Sequence, residues 1–352
     1  MTRLRQSRSR RTFLKGLAAL GAGKLLGGFP ALAQAPVTRR VIDVHHHIIP
    51  PKVLAAHREE FVRGGAAGGN VLQWTPQVTL DQMDMAGVAT SVLSMSTPGS
   101  WYGSVEDGRK MSREINEFCT TMGRDHPGRF GLFASLPLPD TEGSLKEIEY
   151  AFGTLKADGI GMMTSYDNLP LGDKSFAPVF EELNRRRTIV FIHRTAGTCC
   201  IPLRGLAGNQ EFIVDDLRML NSLLTSGALV KYPNIKWIHA HGDKIFPWVA
   251  KLNGAPLNGA DRAGKPAWAP NGVQNELRKM YVDSAGNNKA TMDELRQMGI
   301  LASHTMFGTD VPYGTVQANL TNLRNSMGLS QAELAAVEYQ TAWTLLPKFK
   351  QA

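Results

Sequence analysis

Cysteine is scarce in this chain, with three among 352 residues. Three cysteines do not make a disulfide framework. Cys199 and Cys200 are adjacent and would form only a strained vicinal bridge, and Cys119 falls in a helical pattern where burial is expected. We therefore expect all three to be structural residues.

Acidic residues are absent from the first 35 positions, which hold seven Lys or Arg. The whole chain has 39 basic and 31 acidic residues, so the remainder has 32 against 31 and a net charge of +1. Seven of the eight formal positive charges therefore belong to the N-terminal segment. Without this segment, the net charge gives no reason to expect binding to nucleic acid or to a membrane surface.

A long hydrophobic run is also missing. The weakly apolar segment from Gly16 to Gly28 is too short to span a membrane, is rich in glycine and is broken by Lys24. It follows Arg10 and Arg11 in the sequence SRRTFLK, which is typical of a twin-arginine export signal. We expect residues 1–35 to be this signal and residues 36–352 to be periplasmic, or otherwise exported by this route, without a membrane anchor.

Repeats and low-complexity tracts do not occur; what recurs is a short apolar strand followed by a helical pattern. Eight such strands, over about 317 residues, predict an α/β fold of the (β/α)8 TIM barrel type in a single domain, with a doubly wound open sheet as the alternative. The predicted strands are Val41–Val44, Thr90–Ser96, Arg129–Leu136, Gly159–Thr164, Thr188–His193, Ile235–His241, Lys279–Asp283 and Thr305–Thr309.

Polar residues stand where these strands end. In a barrel, the active site lies at the carboxyl ends of the strands. Six residues that can bind a metal or move a proton fall there: His45, His47, His193, His239, His241 and Asp310. Singly, each has an ordinary interpretation, such as a core histidine or a turn-capping aspartate. Together they indicate a site on one rim.

Four of these residues form a candidate metal site. Because side chains alternate along a strand, His45 and His47 point to one face, and His46 points to the other and is expected to be structural. With His193 and Asp310 they supply three nitrogens and one oxygen, a set that suits zinc, with manganese or iron as alternatives. One coordination position would remain open for water or substrate.

His241 is the candidate general acid or base beside this metal, because imidazole titrates near neutral pH. His239, which the alternation places on the same strand face, lies deeper and is expected to be a hydrogen-bonded core residue. Asp310 is both a candidate metal ligand and a candidate proton carrier. His57, His126 and His304 have no motif around them and are expected to be surface or packing residues.

Several segments together resemble a known family. The sequence DVHHHIIP at residues 43–50 resembles the opening H-x-H-x-x-P of the amidohydrolase-related metal-dependent decarboxylases, the group around aminocarboxymuconate-semialdehyde decarboxylase. His193 and Asp310 occupy positions similar to its strand-5 and strand-8 ligands, and His241 and Pro247 keep the spacing of its H-x-G-G-x-x-P segment. The segments SMSTPG at 94–99 and GLFASLP at 131–137 are most similar to the 6-methylsalicylate decarboxylase branch.

The resemblance implies a small-molecule carboxylic acid substrate and a homodimer, but the chain departs from the family pattern. Asp243 and Lys244 replace residues of the H-x-G-G segment, and Arg194 replaces a proline after the strand-5 ligand. Thr79 and Asp81 lie in a segment similar to one that carries substrate-binding arginines in the aminocarboxymuconate enzymes. We therefore do not expect the muconate substrate.

Three functions are compatible with these residues. The first is metal-dependent, non-oxidative decarboxylation of a hydroxylated aromatic acid of 6-methylsalicylate type, in which Asp310 or His241 handles the proton. The second is a hydrolase such as a lactonase, in which His241 activates a metal-bound water, since fold does not settle reaction type. The third is a periplasmic metal- or ligand-binding protein without turnover.

Overall fold

A sheet of eight parallel strands organises the computed structural model, which describes residues 40–62, 69–195, 209–241, 245–257, 262 and 264–351. Each strand pairs with the next one along the barrel. The strands are β1 Val41–Ile48, β2 Val88–Met95, β3 Phe130–Ser135, β4 Gly159–Met163, β5 Ile189–His193, β6 Lys236–His239, β7 Tyr281–Asp283 and β8 Thr305–Met306. A separate two-residue hairpin joins Ser165–Tyr166 to Leu169–Pro170.

The first strand also meets the chain that follows the last strand. The Val44 N–H donates to the Phe307 carbonyl at 3.0 Å, and the His47 N–H donates to the Val311 carbonyl at 2.8 Å. These bonds bring the two edges of the sheet together. The barrel prediction is therefore confirmed over the doubly wound open sheet.

Helices surround the strands. They are α1 Pro51–Ala56, α2 Arg58–Phe61, α3 Gly69–Leu72, α4 Pro76–Ala86, α5 Val105–Asp125, α6 Thr141–Tyr150, α7 Ala177–Arg186, α8 Asn209–Thr225, α9 Ala228–Lys231, α10 Ile245–Leu252, α11 Val273–Leu277, α12 Lys289–Met298, α13 Leu301–His304, α14 Val316–Ser326, α15 Gln331–Ala335 and α16 Thr341–Leu345. Short π-helical turns cover Ala151–Leu155 and Ala336–Gln340, and 3-10 turns cover Lys174–Phe176 and Pro347–Gln351. Within the described ranges, no helix is long and apolar enough to cross a membrane.

Helix boundaries follow the local sequence. The α12 helix is preceded by the cap residue Asn288, whose side chain accepts from the Thr291 N–H at 3.1 Å. It is followed by the cap residue Gly299, whose φ of 75° suits a residue without Cβ. The α5 helix begins after Ser104 in the same way, with its hydroxyl accepting from the Asp107 N–H. Such polar caps position the helices that flank the site.

The barrel interior is apolar below the carboxyl ends of the strands. Its core joins residues from six strands with the C-terminal helix: Ile42, Val44, Val92, Phe133, Ile189, Phe191, Ile238, Ala240 and Met306, closed by Ala342, Leu346 and Phe349. Because Ile238 and Ala240 face this interior, His239 between them faces the surrounding helices, where its ring meets Phe246. The expectation that His239 and His241 share one strand face is therefore wrong.

Some sequence predictions lie outside the described residues: the signal at 1–35, the Cys199–Cys200 pair and the departures at 242–244. Cys119 is described, and it is buried and free, as expected. His57 stacks on Tyr102 with ring centroids 3.5 Å apart, and His126 and His304 pack against Phe130 and Tyr281. These three histidines are packing residues.

Candidate metal centre

β1 brings two imidazole rings to the centre of the rim formed by the carboxyl ends of the strands. His45 and His47 are fully buried, and their Nε2 atoms lie 3.0 Å apart. The pairing of β1 with β2 shifts register between Asp43 and His46. His46 points away, with Nδ1 2.9 Å from an Asp43 oxygen and Nε2 3.1 Å from the Thr79 hydroxyl, as a structural histidine should.

His193 at the end of β5 and Asp310 after β8 complete a group of four. Asp310 Oδ1 lies 3.2 Å, 3.1 Å and 3.7 Å from the Nε2 atoms of His45, His47 and His193. One potential ligand atom from each of the four residues lies within 4.8 Å of all the others. The structure thus assembles the set that the sequence suggests as metal ligands.

Asp310 is held in place by its backbone. Its φ is 57°, in the left-handed region that a non-glycine residue rarely occupies, and its N–H donates to the His45 carbonyl at 2.9 Å. The preceding Thr309 donates from its hydroxyl to Asp43 at 2.6 Å. This anchoring to β1 offsets the cost of the uncommon backbone conformation, as is typical of functional sites.

A second set of groups orients the histidines. His45 Nδ1 lies 2.8 Å from Asp283 Oδ2, and His47 Nδ1 lies 3.1 Å from the Ser94 hydroxyl and 3.4 Å from its carbonyl. An Nδ1–H that donates to a carboxylate leaves the Nε2 lone pair free for a metal. Two lone pairs facing each other at 3.0 Å repel unless a cation lies between them.

The residues present therefore fit a divalent cation. The ring nitrogens of His193 are buried and have no hydrogen-bond partner among the residues described. Ligands about 2.0–2.1 Å from a tetrahedral ion lie roughly 3.3 Å apart, close to the shorter separations in this group. Three imidazole nitrogens and a carboxylate oxygen are also ligands that transition metals of this class accept.

Charges within the group shift its pKa values. Burial disfavours the charged form of His45, but Asp283 and Asp310 outweigh this and raise its pKa to about 10. Burial lowers the pKa of His193 well below its usual value. Burial alone would raise the pKa of Asp310, but His241 and His45 hold it well below the usual range. Without metal, a proton on His45 therefore faces an ionised Asp310, and a metal ion would take the place of that proton.

His241 lies on the other side of Asp310. Its ring centroid is 4.7 Å from that of His45, and its Nε2 is 3.5 Å from Asp310 Oδ2. Its Nδ1 is 3.1 Å from the Ala285 carbonyl, which can only accept, so Nδ1 carries the proton and Nε2 holds the lone pair. Burial, assisted by the charge of Arg194, lowers the pKa of His241 well below its usual value.

His239 does not join this group. Its ring nitrogens are buried without a hydrogen-bond partner in the described part of the chain, and its Nε2 lies 3.6 Å from Asp216 Oδ1 on α8. The expectation of a buried residue is confirmed. On the helix side, its described neighbours are an aromatic ring and a carboxylate beyond hydrogen-bond distance.

The sequence interpretation missed Asp43, Asp283, Ser94 and the Ala285 carbonyl. Asp283 ends a predicted strand on the same rim, so its position was a usable signal. It accepts from the backbone N–H groups of His241 and Ala285 as well as facing His45. Thr79 accepts from the Trp74 ring N–H at 2.9 Å and supports His46, so it is a structural residue.

Comparison with known proteins identifies the family. Residues 42–348 match the family model described as amidohydrolase, which is most of the chain. The chain belongs to the amidohydrolase family.

Relatives of this amidohydrolase include enzymes named as decarboxylases. It is 34% identical over 328 residues to the decarboxylase yanB of Aspergillus niger, covering 88% of each chain. It is 31% identical over 320 residues to a 6-methylsalicylic acid decarboxylase of Penicillium expansum, covering 88% of this chain and 97% of that one.

A solved structure shares the fold of this amidohydrolase. The structure of a dihydroxybenzoic acid decarboxylase from Polaromonas, with bound manganese and the inhibitor 2-nitroresorcinol, superimposes with a TM-score of 0.69 at 20% identity. The match covers 89% of this chain and 97% of the other.

Proposed function

We propose that this amidohydrolase is a metal-dependent, non-oxidative decarboxylase of an aromatic acid with an ortho-hydroxyl group, of 6-methylsalicylate type. The observation that carries the proposal is the position of Asp310, between three histidines of a metal-binding set and the ring of His241. The relatives named as decarboxylases, one of them for 6-methylsalicylic acid, support this reaction.

The reaction exchanges a carboxylate for a proton. The ring carbon that bears the carboxylate gains a proton, the bond from that carbon to the carboxylate carbon breaks, and its electron pair restores the aromatic ring as carbon dioxide leaves. One proton is consumed in each turnover. The protein must therefore hold the carboxylate and supply a proton to the carbon beside it.

His45, His47, His193 and Asp310 would hold the metal. A divalent ion there would supply positive charge that offsets the negative charge of the substrate carboxylate. Asp310 and His241 handle the proton: Asp310 Oδ2 and His241 Nε2 are 3.5 Å apart, so a proton on either atom can pass to the other. The Nδ1–H of His241 donates to the Ala285 carbonyl, so the Nε2 lone pair faces the site.

We propose zinc as the metal, because three imidazoles with one carboxylate are ligands that zinc favours. Manganese, which the Polaromonas structure contains, is the first alternative. Metal analysis of protein purified without added metal, followed by reconstitution of the metal-free protein with each ion, distinguishes them. The ion that restores the higher kcat/KM at equal occupancy is the functional one.

Carbon dioxide release tests the proposal. The protein starting at residue 36, loaded with zinc, is incubated with 6-methylsalicylate and related hydroxybenzoates, with His241→Ala as the matched variant. Release that depends on His241 supports decarboxylation. If no acid releases carbon dioxide although metal is bound, the proposal is wrong, and lactones then test hydrolysis, in which His241 would activate water and only a proton is released.

A further inference from the structure

An ion pair lies directly behind the metal-binding group, outside the barrel. Arg194, the residue after His193, places Nη2 3.1 Å from Asp216 Oδ2 on α8. The Asp216 side chain is 0% exposed and that of Arg194 is 19% exposed. Burying two charges is costly unless they are paired, so the pair holds the end of β5 against α8.

His193 depends on this region more than the other two histidines do. Asp283 and Ser94 hold the Nδ1 atoms of His45 and His47, whereas both ring nitrogens of His193 lack a hydrogen bond within the described ranges. Among the described residues, the His193 ring is therefore oriented by its contacts with neighbouring rings and by its backbone.

The backbone around His193 is tied to α8 by two adjacent aspartates. Asp216 holds Arg194. Asp215 accepts a hydrogen bond from the Thr164 hydroxyl, and that hydroxyl accepts from the Thr195 N–H at 3.0 Å. The Thr164 N–H also donates to the His193 carbonyl at 3.0 Å. Thr164, Arg194 and Thr195 are thus all anchored to α8.

Charge gives Asp216 a second effect. A guanidinium next to a metal ligand repels a divalent cation, and in a buried site this repulsion is weakly screened. The Asp216 carboxylate cancels much of that charge at close range. The Arg194 charge therefore weakens metal binding, and the Asp216 charge strengthens it.

We infer that Asp216 maintains the divalent-metal affinity of the metal centre by compensating the charge of Arg194, while the Asp215–Thr164 hydrogen bond still holds the end of β5 when the pair is removed. The inference rests on the proposed function only in taking His193 as a metal ligand. Its readout is metal binding, so its failure leaves decarboxylation untouched.

The two partners are not equivalent. Without Arg194, the Asp216 carboxylate keeps its negative charge, which does not repel a divalent cation. Without the Asp216 charge, the guanidinium stays charged, because arginine does not lose its proton in proteins. Loss of Asp216 should therefore weaken metal binding, and loss of Arg194 should not.

The test compares Asp216→Asn, Arg194→Met and the double variant with the wild type. Cobalt(II) is the probe, with its dissociation constant measured by chelator competition and its visible absorption spectrum reporting the ligand set. Asp216→Asn should raise the dissociation constant about tenfold or more, within the range of other ligand-supporting residues. Arg194→Met and the double variant should stay within about threefold of wild type.

A control variant separates metal effects from stability. Arg296→Met removes an ion pair between α12 and α15, and it should lower the melting temperature of the metal-free protein without changing the cobalt dissociation constant or spectrum. The inference is wrong if Asp216→Asn, like this control, leaves the cobalt dissociation constant and spectrum unchanged. It is also wrong if the double variant binds cobalt as weakly as Asp216→Asn. If Asp216→Asn does not fold, Arg194→Met decides, because a tenfold loss of cobalt affinity there also overturns it.

Discussion

Asp310 and His241 face each other with Oδ2 and Nε2 3.5 Å apart, while the other Asp310 oxygen faces three histidines. One carboxylate therefore belongs both to the group of four and to the proposed proton-handling pair. The His241 Nδ1 faces the Ala285 carbonyl, so the Nε2 lone pair faces Asp310. Substitutions of Asp310 and of His241 should therefore have different effects on metal binding and on turnover.

His241→Ala should retain the metal and lose turnover. Its ring contacts Asp310 from outside the group of four, so metal content should match the wild type, while kcat for carbon dioxide release falls by about 10²–10⁴-fold. Metal analysis and carbon dioxide release on one preparation check both parts. Full activity in this variant would show that His241 does not handle the proton.

Asp310→Ala and His193→Ala should instead lose the metal, because each removes a ligand atom from the group of four. The same metal analysis distinguishes them from His241→Ala. Stoichiometric metal in both variants would mean that the metal is bound elsewhere.

Asp283→Asn should weaken metal binding without removing a ligand. The carboxylate orients His45 through Nδ1 and accepts from the His241 N–H, so its loss should lower metal affinity about 10–100-fold. Chelator competition measures this loss. Ser91→Ala, at a buried hydroxyl without a partner in the described structure, is the control and should leave the affinity unchanged.

The acid dependence of stability should show the contribution of Glu333. Hydrogen bonds from Arg296 and from the Ser330 N–H lower its pKa to about 2. A pKa below the unfolded value of about 4.5 stabilises the fold above pH 4.5, and this contribution is lost as the pH falls through 2. Glu333→Gln should reduce the free energy of unfolding by about 1 kcal/mol at pH 7.

That difference should shrink towards zero between pH 4.5 and pH 2, because the wild-type carboxylate becomes protonated as well. Urea unfolding of both proteins at pH 7, 4 and 3 provides the measurement. An equal difference at pH 7 and pH 3 would mean that the Glu333 charge does not stabilise the fold.

Export by the twin-arginine route is proposed from Arg10 and Arg11. Changing both to lysine keeps the charge but removes the residues by which the motif is defined. The precursor should then accumulate in the cytoplasm of a bacterial host that exports the unchanged chain, as fractionation and immunoblotting would show. Equal periplasmic amounts of both proteins would exclude this route.

The sequence was informative where a regular pattern reaches a strand end. Apolar runs predicted the eight strands, and the ends of β1, β5 and β8 placed His45, His193 and Asp310 on one rim. The alternation argument failed for His239, because it was extended to His241, which lies beyond β6. There the chain takes a φ of 52°, and no sequence pattern showed that turn.

The orienting contacts were harder to predict because they join distant parts of the chain. Asp283 meets His45, and Asp43 meets Thr309, and neither pair has a characteristic spacing. Only the closed barrel brings these side chains together.

Barrel closure links metal occupancy to the integrity of the whole fold. The sheet closes where Val44 bonds to Phe307, and His45 and Asp310 stand on the two sides of that seam. An ion held by both residues closes a loop that contains nearly the whole barrel, and it favours the native state by its binding free energy. Chelation should therefore open the chain first along this seam, with faster amide exchange in β1 and β8 than in β3 and β4.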